Sequence, residues 1–253
     1  MKITTRILFA FLFLAFTAPL SFSQHPNLYL KDVYDLEWCQ DLKIKSLTSG
    51  GSTYTINNGV AIGGKSKDVI VEDNGRRIKQ TQARGQFLIV SSLSSDLKRL
   101  ESLEMGPTST YFIYDRNHHL THKINDLNIQ GKKISKRFPA AYSLEEMKRN
   151  WKGQLIKKTV YDYDQSIVEY MDNIDAVYSL FNKVRETWDY RYDEEDQLQY
   201  ITIRRFSSED QKIKSTYLVK VNHENNLPTY LDITYEDAER GTSQEKRYFE
   251  YSF

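Results

Sequence analysis

The chain has a single cysteine, eleven glycines and five prolines in 253 residues. One cysteine, Cys39, excludes an internal disulfide even in an oxidising compartment. It reads as a small buried residue rather than a reactive thiol. An excess of one charge is also missing, with 35 basic against 34 acidic residues. Nucleic acid and anionic membrane surfaces are therefore not implied as partners. The spacings of serine hydrolases (Gly-x-Ser-x-Gly), zinc proteases (His-Glu-x-x-His) and zinc ribbons do not occur. Long apolar runs are missing too, apart from Ile7 to Phe16. That run sits behind Lys2 and Arg6 and ahead of Ser21 and Ser23, and it is short for a membrane span. It predicts a secretory signal cut between Ser23 and Gln24. No cysteine lies near the cut, so lipidation there is not indicated. Losing Lys2 and Arg6 leaves 33 basic residues against 34 acidic. The expected layout is a signal over 1–23 and one β-rich domain over 24–253, with possible lobes 24–138 and 143–253.

What is abundant is tyrosine, with 18 residues, beside 12 phenylalanines. Aromatic enrichment favours strands. Trp188, Tyr190 and Tyr192 alternate with Asp189, Arg191 and Asp193, the period of a strand with one apolar face. Asp193 then opens a turn, Glu194-Glu195-Asp196, whose last residue must accept a positive φ. The recipe is apolar, Asp or Asn, two free residues, a left-handed residue, one free residue, apolar. It recurs at Tyr114–Leu120, Met171–Val177 and Val221–Leu227, with His118, Asp175 and Asn225 at the left-handed position. In each case the two apolar ends are expected to pair across a hairpin. Asn74-Gly75 suits a two-residue turn that sets Val71 opposite Ile78.

The Tyr-Asp start with a Leu six residues on, at Tyr114-Asp115 to Leu120 and Tyr192-Asp193 to Leu198, resembles the YD repeats of Rhs and teneurin-like secreted proteins. The resemblance implies a long β-meander that wraps into a shell without catalysing a reaction. That family favours Gly at the turn, where this chain has His, Asp or Asn.

The expected fold is mainly β: an antiparallel meander, open or half-barrel, with one or two short helices. From Leu155 onward the alternation predicts strands at 155–164, 166–171, 176–182, 186–193, 197–206, 213–222, 227–236 and 244–252. Asn27 to Trp38 reads as extended or as a short helix. A short helix is expected over 96–104, capped by Ser95. A clearer one is expected over 143–152, where Ser143 and Glu146 form a capping box and Leu144, Met147 and Trp151 share a face. Residues 132–137 carry Lys132, Lys133, Lys136 and Arg137, read as a solvated connector.

His118, His119 and His122 cluster in sequence, but a hairpin puts His119 and His122 on opposite faces, so no metal site is expected. No cofactor is expected either. Asp162 and Asp164 share a strand face roughly 7 Å apart, a separation open to glycoside hydrolysis. The aromatics Trp188, Tyr190, Tyr192, Tyr161 and Tyr163 are the candidate ligand-binding residues. If partly uncovered, they line a groove for a lipid, a glycan or an envelope protein, by analogy with the half-barrel of periplasmic lipoprotein carriers. The leading expectation is an exported, non-catalytic envelope protein, periplasmic or extracellular. Two alternatives stand beside it. One is a small outer-membrane barrel, suggested by Phe249, Tyr251 and the terminal Phe253 and by alternating short and long connections. The other is an envelope hydrolase.

Overall fold

The computed structural model describes residues 29–30, 32–34, 36–49, 52–57, 60–63, 66–82, 88–105, 108–127, 141–163 and 181–253. Among them are one helix, α1 (Leu36–Asp41), a 3-10 turn at Asp73–Gly75, and sixteen strands. The strands are β1 (Ser46–Ser49), β2 (Ser52–Asn57), β3 (Val60–Gly63), β4 (Ser66–Glu72), β5 (Arg77–Gln82), β6 (Leu88–Leu93), β7 (Leu100–Met105) and β8 (Thr108–Tyr114). They continue as β9 (Leu120–Leu127), β10 (Ala141–Arg149), β11 (Leu155–Tyr163), β12 (Phe181–Tyr192), β13 (Leu198–Phe206), β14 (Ile213–Glu224), β15 (Leu227–Asp237) and β16 (Gly241–Ser252).

All sixteen form one antiparallel sheet in the order β3-β2-β1-β16-β15 and so on down to β4. Each strand from β4 to β16 pairs with its neighbour in sequence, and β16 returns to pair with β1 through Leu47 opposite Tyr251. The sheet is not closed: β3 and β4 are its two edges. Only two residues separate them in sequence, so Gly63 and Ser66 lie within about 11 Å of each other. The meander therefore curls most of the way round and stops at one seam.

Turn chemistry sets the register. The Asp115 carboxylate accepts from the backbone N–H of Asn117 and His119 at 2.8 and 2.9 Å. The Asp193 carboxylate accepts from Glu195 and Gln197 at 3.0 and 2.8 Å. His118 and Asp196 take positive φ of 67° and 64°. Tyr114 then faces Leu120, and Tyr192 faces Leu198, as the recipe requires. Val71 also faces Ile78, around a turn with Asn74 and Gly75 at positive φ. The Met171–Val177 hairpin and the 166–171 strand lie outside the described residues, as do the first 23.

The structure corrects four expectations. The strands expected at 176–182 and 186–193 are not separate, because Phe181–Tyr192 is one continuous strand, β12. The stretch 143–152 is β10 and a turn, not a helix. Ser143, Glu145 and Met147 alternate with Leu144 and Glu146, and the flanking strands β9 and β11 each offer a ladder to that backbone. Tertiary pairing overrides a local capping signal. Its end repeats the turn of the recipe, with Arg149 in place of the first apolar residue: Asn150 accepts from Lys152 and Gln154, both at 3.0 Å, and Gly153 takes φ 81°. The stretch 96–104 is likewise a turn followed by β7, with Leu97 at φ 60° and Leu100, Leu103 and Met105 buried. Finally, the β14/β15 hairpin turns on Asn225-Asn226, both at positive φ, so Glu224 faces Leu227 and Val221 faces Leu231. Two adjacent asparagines accept the two-residue turn whose twist matches the strands.

One face of the sheet is apolar. Ile78, Leu93, Leu103, Phe112, Met147, Trp188, Ile203, Val219, Leu231 and Phe249 join a single core cluster. Tyr29, Leu30 and Tyr34 belong to it as well. The N-terminal segment thus packs against the inner face as a strap.

Candidate functional site

Two neighbouring cross-strand rows of the inner face carry the chemistry. One row runs Phe112, Lys123, Glu145, Val160, Glu186, Arg205 across β8 to β13. The next runs Met147, Lys158, Trp188, Ile203, Tyr217, Tyr235 across β10 to β15. Charges on an inner face need partners, because a lone buried ion costs several kcal/mol.

The strap supplies the main one. The Asp32 carboxylate sits between two ammonium groups: Lys123 donates to Oδ1, and Lys158 donates to Oδ2 at 2.5 Å. The three side chains are 1%, 4% and 2% exposed, so water does not screen them. Lys158 Nζ also lies 3.6 Å from the centre of the Trp188 ring, and Lys123 Nζ 5.4 Å from that of Phe112. An ammonium over a desolvated aromatic face is favourable by about 2 kcal/mol. The Trp188 indole N–H donates to Glu186 at 3.0 Å, and Arg205 donates to the same carboxylate at 3.0 Å.

The rest of the strap is held along its length. The Tyr29 ring lies 6.1 Å from Trp188 and under the Arg247 guanidinium. The Tyr34 hydroxyl is 2.8 Å from His223 Nε2. Trp38 packs at a tilt against Tyr34 and meets the edge of Tyr251. Gln40 donates to the carbonyl of Leu97, in the turn before β7. Cys39 is buried on α1 and forms no disulfide.

Of the five aromatics singled out from sequence, the structure brings three together. Trp188 and Tyr190 are buried beneath the strap, and Tyr192 packs at the margin of the same cluster. Burial raises the Tyr192 phenol to about 12 and holds Tyr190 well above its ordinary range. Tyr161 lies on the opposite face, facing Leu144, with its hydroxyl donating to Glu146. Tyr163 pairs with Phe181 through the backbone, and its side chain is outside the described residues. Asp162 pairs with Arg185 at 2.8 Å, while burial raises its carboxyl above the usual range; Asp164 is outside the described residues. His119 pairs with Asp115 at 3.7 Å and His122 touches Thr121. Sequence reasoning missed Asp32, Lys123 and Lys158. The expectation that the chain has no phosphate-binding-loop spacing was also wrong, since Gly59 to Ser66 has it. That chemistry needs a helix after the loop, and here Ser66 opens strand β4.

No family model matches the chain, and no curated protein matches it. Solved structures do show a distant likeness. A porin-like protein from Bacteroides uniformis is 11% identical, with a TM-score of 0.37 over 83% of this chain and 98% of that one. A DUF3836 family protein from Bacteroides vulgatus is 9% identical, with a TM-score of 0.27 over 41% of this chain and 98% of that one. A chain of the TcdB2-TccC3-Cdc42 structure is 9% identical, with a TM-score of 0.24 over 80% of this chain and 14% of that one. At these scores the likeness carries no functional argument.

Proposed function

We propose that this is an exported, non-catalytic β-meander protein of the cell envelope, and that it engages an envelope partner through one end of the sheet. The observation that supports the reading is the asymmetry of the two ends. Strand directions put the turns at 73–76, 94–99, 115–119, 150–154, 193–197 and 225–226 at one end. These are tight, and three of them are tied together: Lys152 and Gln154 bond Asp196, and Gln197 bonds Asn226. The segments 128–140 and 164–180, which lie outside the described residues, join strands at the opposite end. The first holds Lys132, Lys133, Lys136 and Arg137, which suits an acidic partner surface. On this reading Trp188, Tyr190 and Tyr192 form the seat of the strap rather than an open lipid or glycan groove.

Two measurements test it. N-terminal sequencing of the protein recovered from the envelope or medium is expected to begin at Gln24. A cytoplasmic protein with its N-terminus intact overturns export. Replacing 130–138 and 166–178 by short linkers is expected to abolish partner capture by crosslinking while the circular dichroism is unchanged. Retained capture overturns the partner assignment.

The outer-membrane barrel shares the end asymmetry and the pairing of the last strand with the first. Its outward rows would face lipid, whereas here they carry Lys214 and Lys220 and the pairs Asp232–Lys246 and Asp189–Arg204. Charges there cost about 2–4 kcal/mol each at the bilayer midplane. Heat-modifiable gel mobility in detergent extracts would favour the barrel over the soluble meander.

A further inference from the structure

Among the described residues, three charged side chains are fully buried, and they are the same three: Asp32, Lys123 and Lys158. They meet at one carboxyl group. Glu145 stands directly opposite Lys123 in the β9/β10 ladder. Two positions along β10, Met147 stands opposite Lys158. The site therefore gathers two amines and the Asp32 carboxyl group on an aromatic floor, with Glu145 in the neighbouring position of the Lys123 row. Lys158 is the more constrained amine, held between the Trp188 ring and Asp32 Oδ2. Lys123 has Glu145 as a second cross-strand neighbour, and Lys158 has only the apolar Met147 and Trp188 in that position.

We propose that Asp32 and Lys158 join in an intramolecular amide bond that fastens the strap to the sheet. The balance is a dehydration. A proton passes from the Lys158 ammonium to the Asp32 carboxylate, giving a free amine and a carboxylic acid. A buried, low-dielectric site narrows the gap between the charged and neutral forms. The amine lone pair attacks Asp32 Cγ, and the Cγ–N bond forms. The Glu145 carboxylate takes the proton from nitrogen and returns it to the departing hydroxyl. The Cγ–O bond breaks, one water leaves, and no oxidant or second reactant is consumed. Two buried charges disappear, while Lys123 and Glu145 remain as an opposite pair. That outcome relieves the cost of holding a charged triad out of water. It also supplies a covalent fastening to a chain whose single cysteine provides none. The bond does not depend on the partner assignment above.

The test is the intact mass of the full-length purified protein, unfolded in denaturant. The main species is expected to be lighter than its sequence by the mass of one water. Tryptic digestion is expected to yield a branched peptide joining the segment with Asp32 to the segment with Lys158. Lys158→Arg keeps the positive charge without an acylable amine and is expected to restore the full mass, with its fold checked by circular dichroism. Lys123→Arg is expected to keep the water loss. A wild-type protein at its full sequence mass overturns the proposal without reference to any variant. So does a water loss that maps to any other residue pair.

Discussion

The Tyr192 hydroxyl donates to the backbone carbonyl of Leu155, one hairpin back, at 3.0 Å. Tyr114 makes the same bond to Leu100 at 2.8 Å. In both, the tyrosine that precedes the turn aspartate reaches the first residue of a strand in the preceding hairpin. The motif therefore fixes the hairpin and also spaces it from its neighbour. A hydrogen bond of this kind contributes about 1 kcal/mol net. Tyr192→Phe is expected to lower the unfolding free energy by about that much. Urea denaturation with an unchanged m-value is the check. A loss below a few tenths of a kcal/mol would remove the spacing role.

The third copy of the turn makes a sharper test, because its residues were read first as a helix end. Asn150→Ala removes an acceptor for two backbone N–H groups, at Lys152 and Gln154. Gly153→Ala forces a Cβ into the left-handed region and to within 3.2 Å of His119 Nε2. Each is expected to cost about 1–2 kcal/mol. In a helix over 143–152 Asn150→Ala would stabilise, because alanine is the better helix former. Gly153 would be the left-handed cap of that helix, so its change costs stability in either fold. The sign of the change in thermal midpoint for Asn150→Ala thus decides between the strand-turn-strand and the helix.

How far the fold was legible follows from which interactions are local. Asp115, His118, Asp193 and Asp196 announce their turns because each acts within five residues. Ser143 and Glu146 announce a helix for the same reason, and there the local signal lost. The period of Ser143, Glu145 and Met147 fits a strand equally well, and the ladders of β9 and β11 decided it. The site was half legible. Trp188 and Tyr190 read as an apolar face, and they line one. Asp32, Lys123 and Lys158 read as ordinary wet charges. The contacts that bury them span 91 and 126 residues, and no periodicity reports a partner at that distance.

The buried cluster predicts a strong asymmetry between single and combined substitutions. Asp32→Ala strands two ammonium groups in the core. Removing one partner of a buried ion pair costs about 3–5 kcal/mol. Neither Asp32→Ala nor a protein with Asp32→Leu, Lys123→Met and Lys158→Met can form the Asp32–Lys158 amide, so comparing the two isolates the charges, and the all-apolar protein is expected to be the more stable by about 3–5 kcal/mol. A combined variant no more stable than Asp32→Ala would show that the charges do more than neutralise one another. Equilibrium urea unfolding of the two proteins gives the comparison.

The strap is also expected to loosen in acid through His223. Burial lowers the His223 pKa below its ordinary 6.5, and the nearby Asp193 charge only partly offsets this. The folded state therefore prefers the neutral ring, whose Nε2 accepts from the Tyr34 hydroxyl at 2.8 Å. Burial raises the Tyr34 phenol, so it stays protonated and able to donate. Because the folded pKa is depressed, the unfolded chain binds the proton first as the pH falls below about 6.5. This contribution is complete above that value and is lost as the pH drops through the folded pKa. His223→Gln keeps a polar group at the position and removes the titration. The fall in urea midpoint between pH 7.5 and pH 5 is expected to be smaller in the variant than in the wild type, since carboxylate contributions are common to both. Ring-proton NMR of His223 reports the same group directly, and a titration midpoint at or above 6.5 would reverse the sign of the prediction.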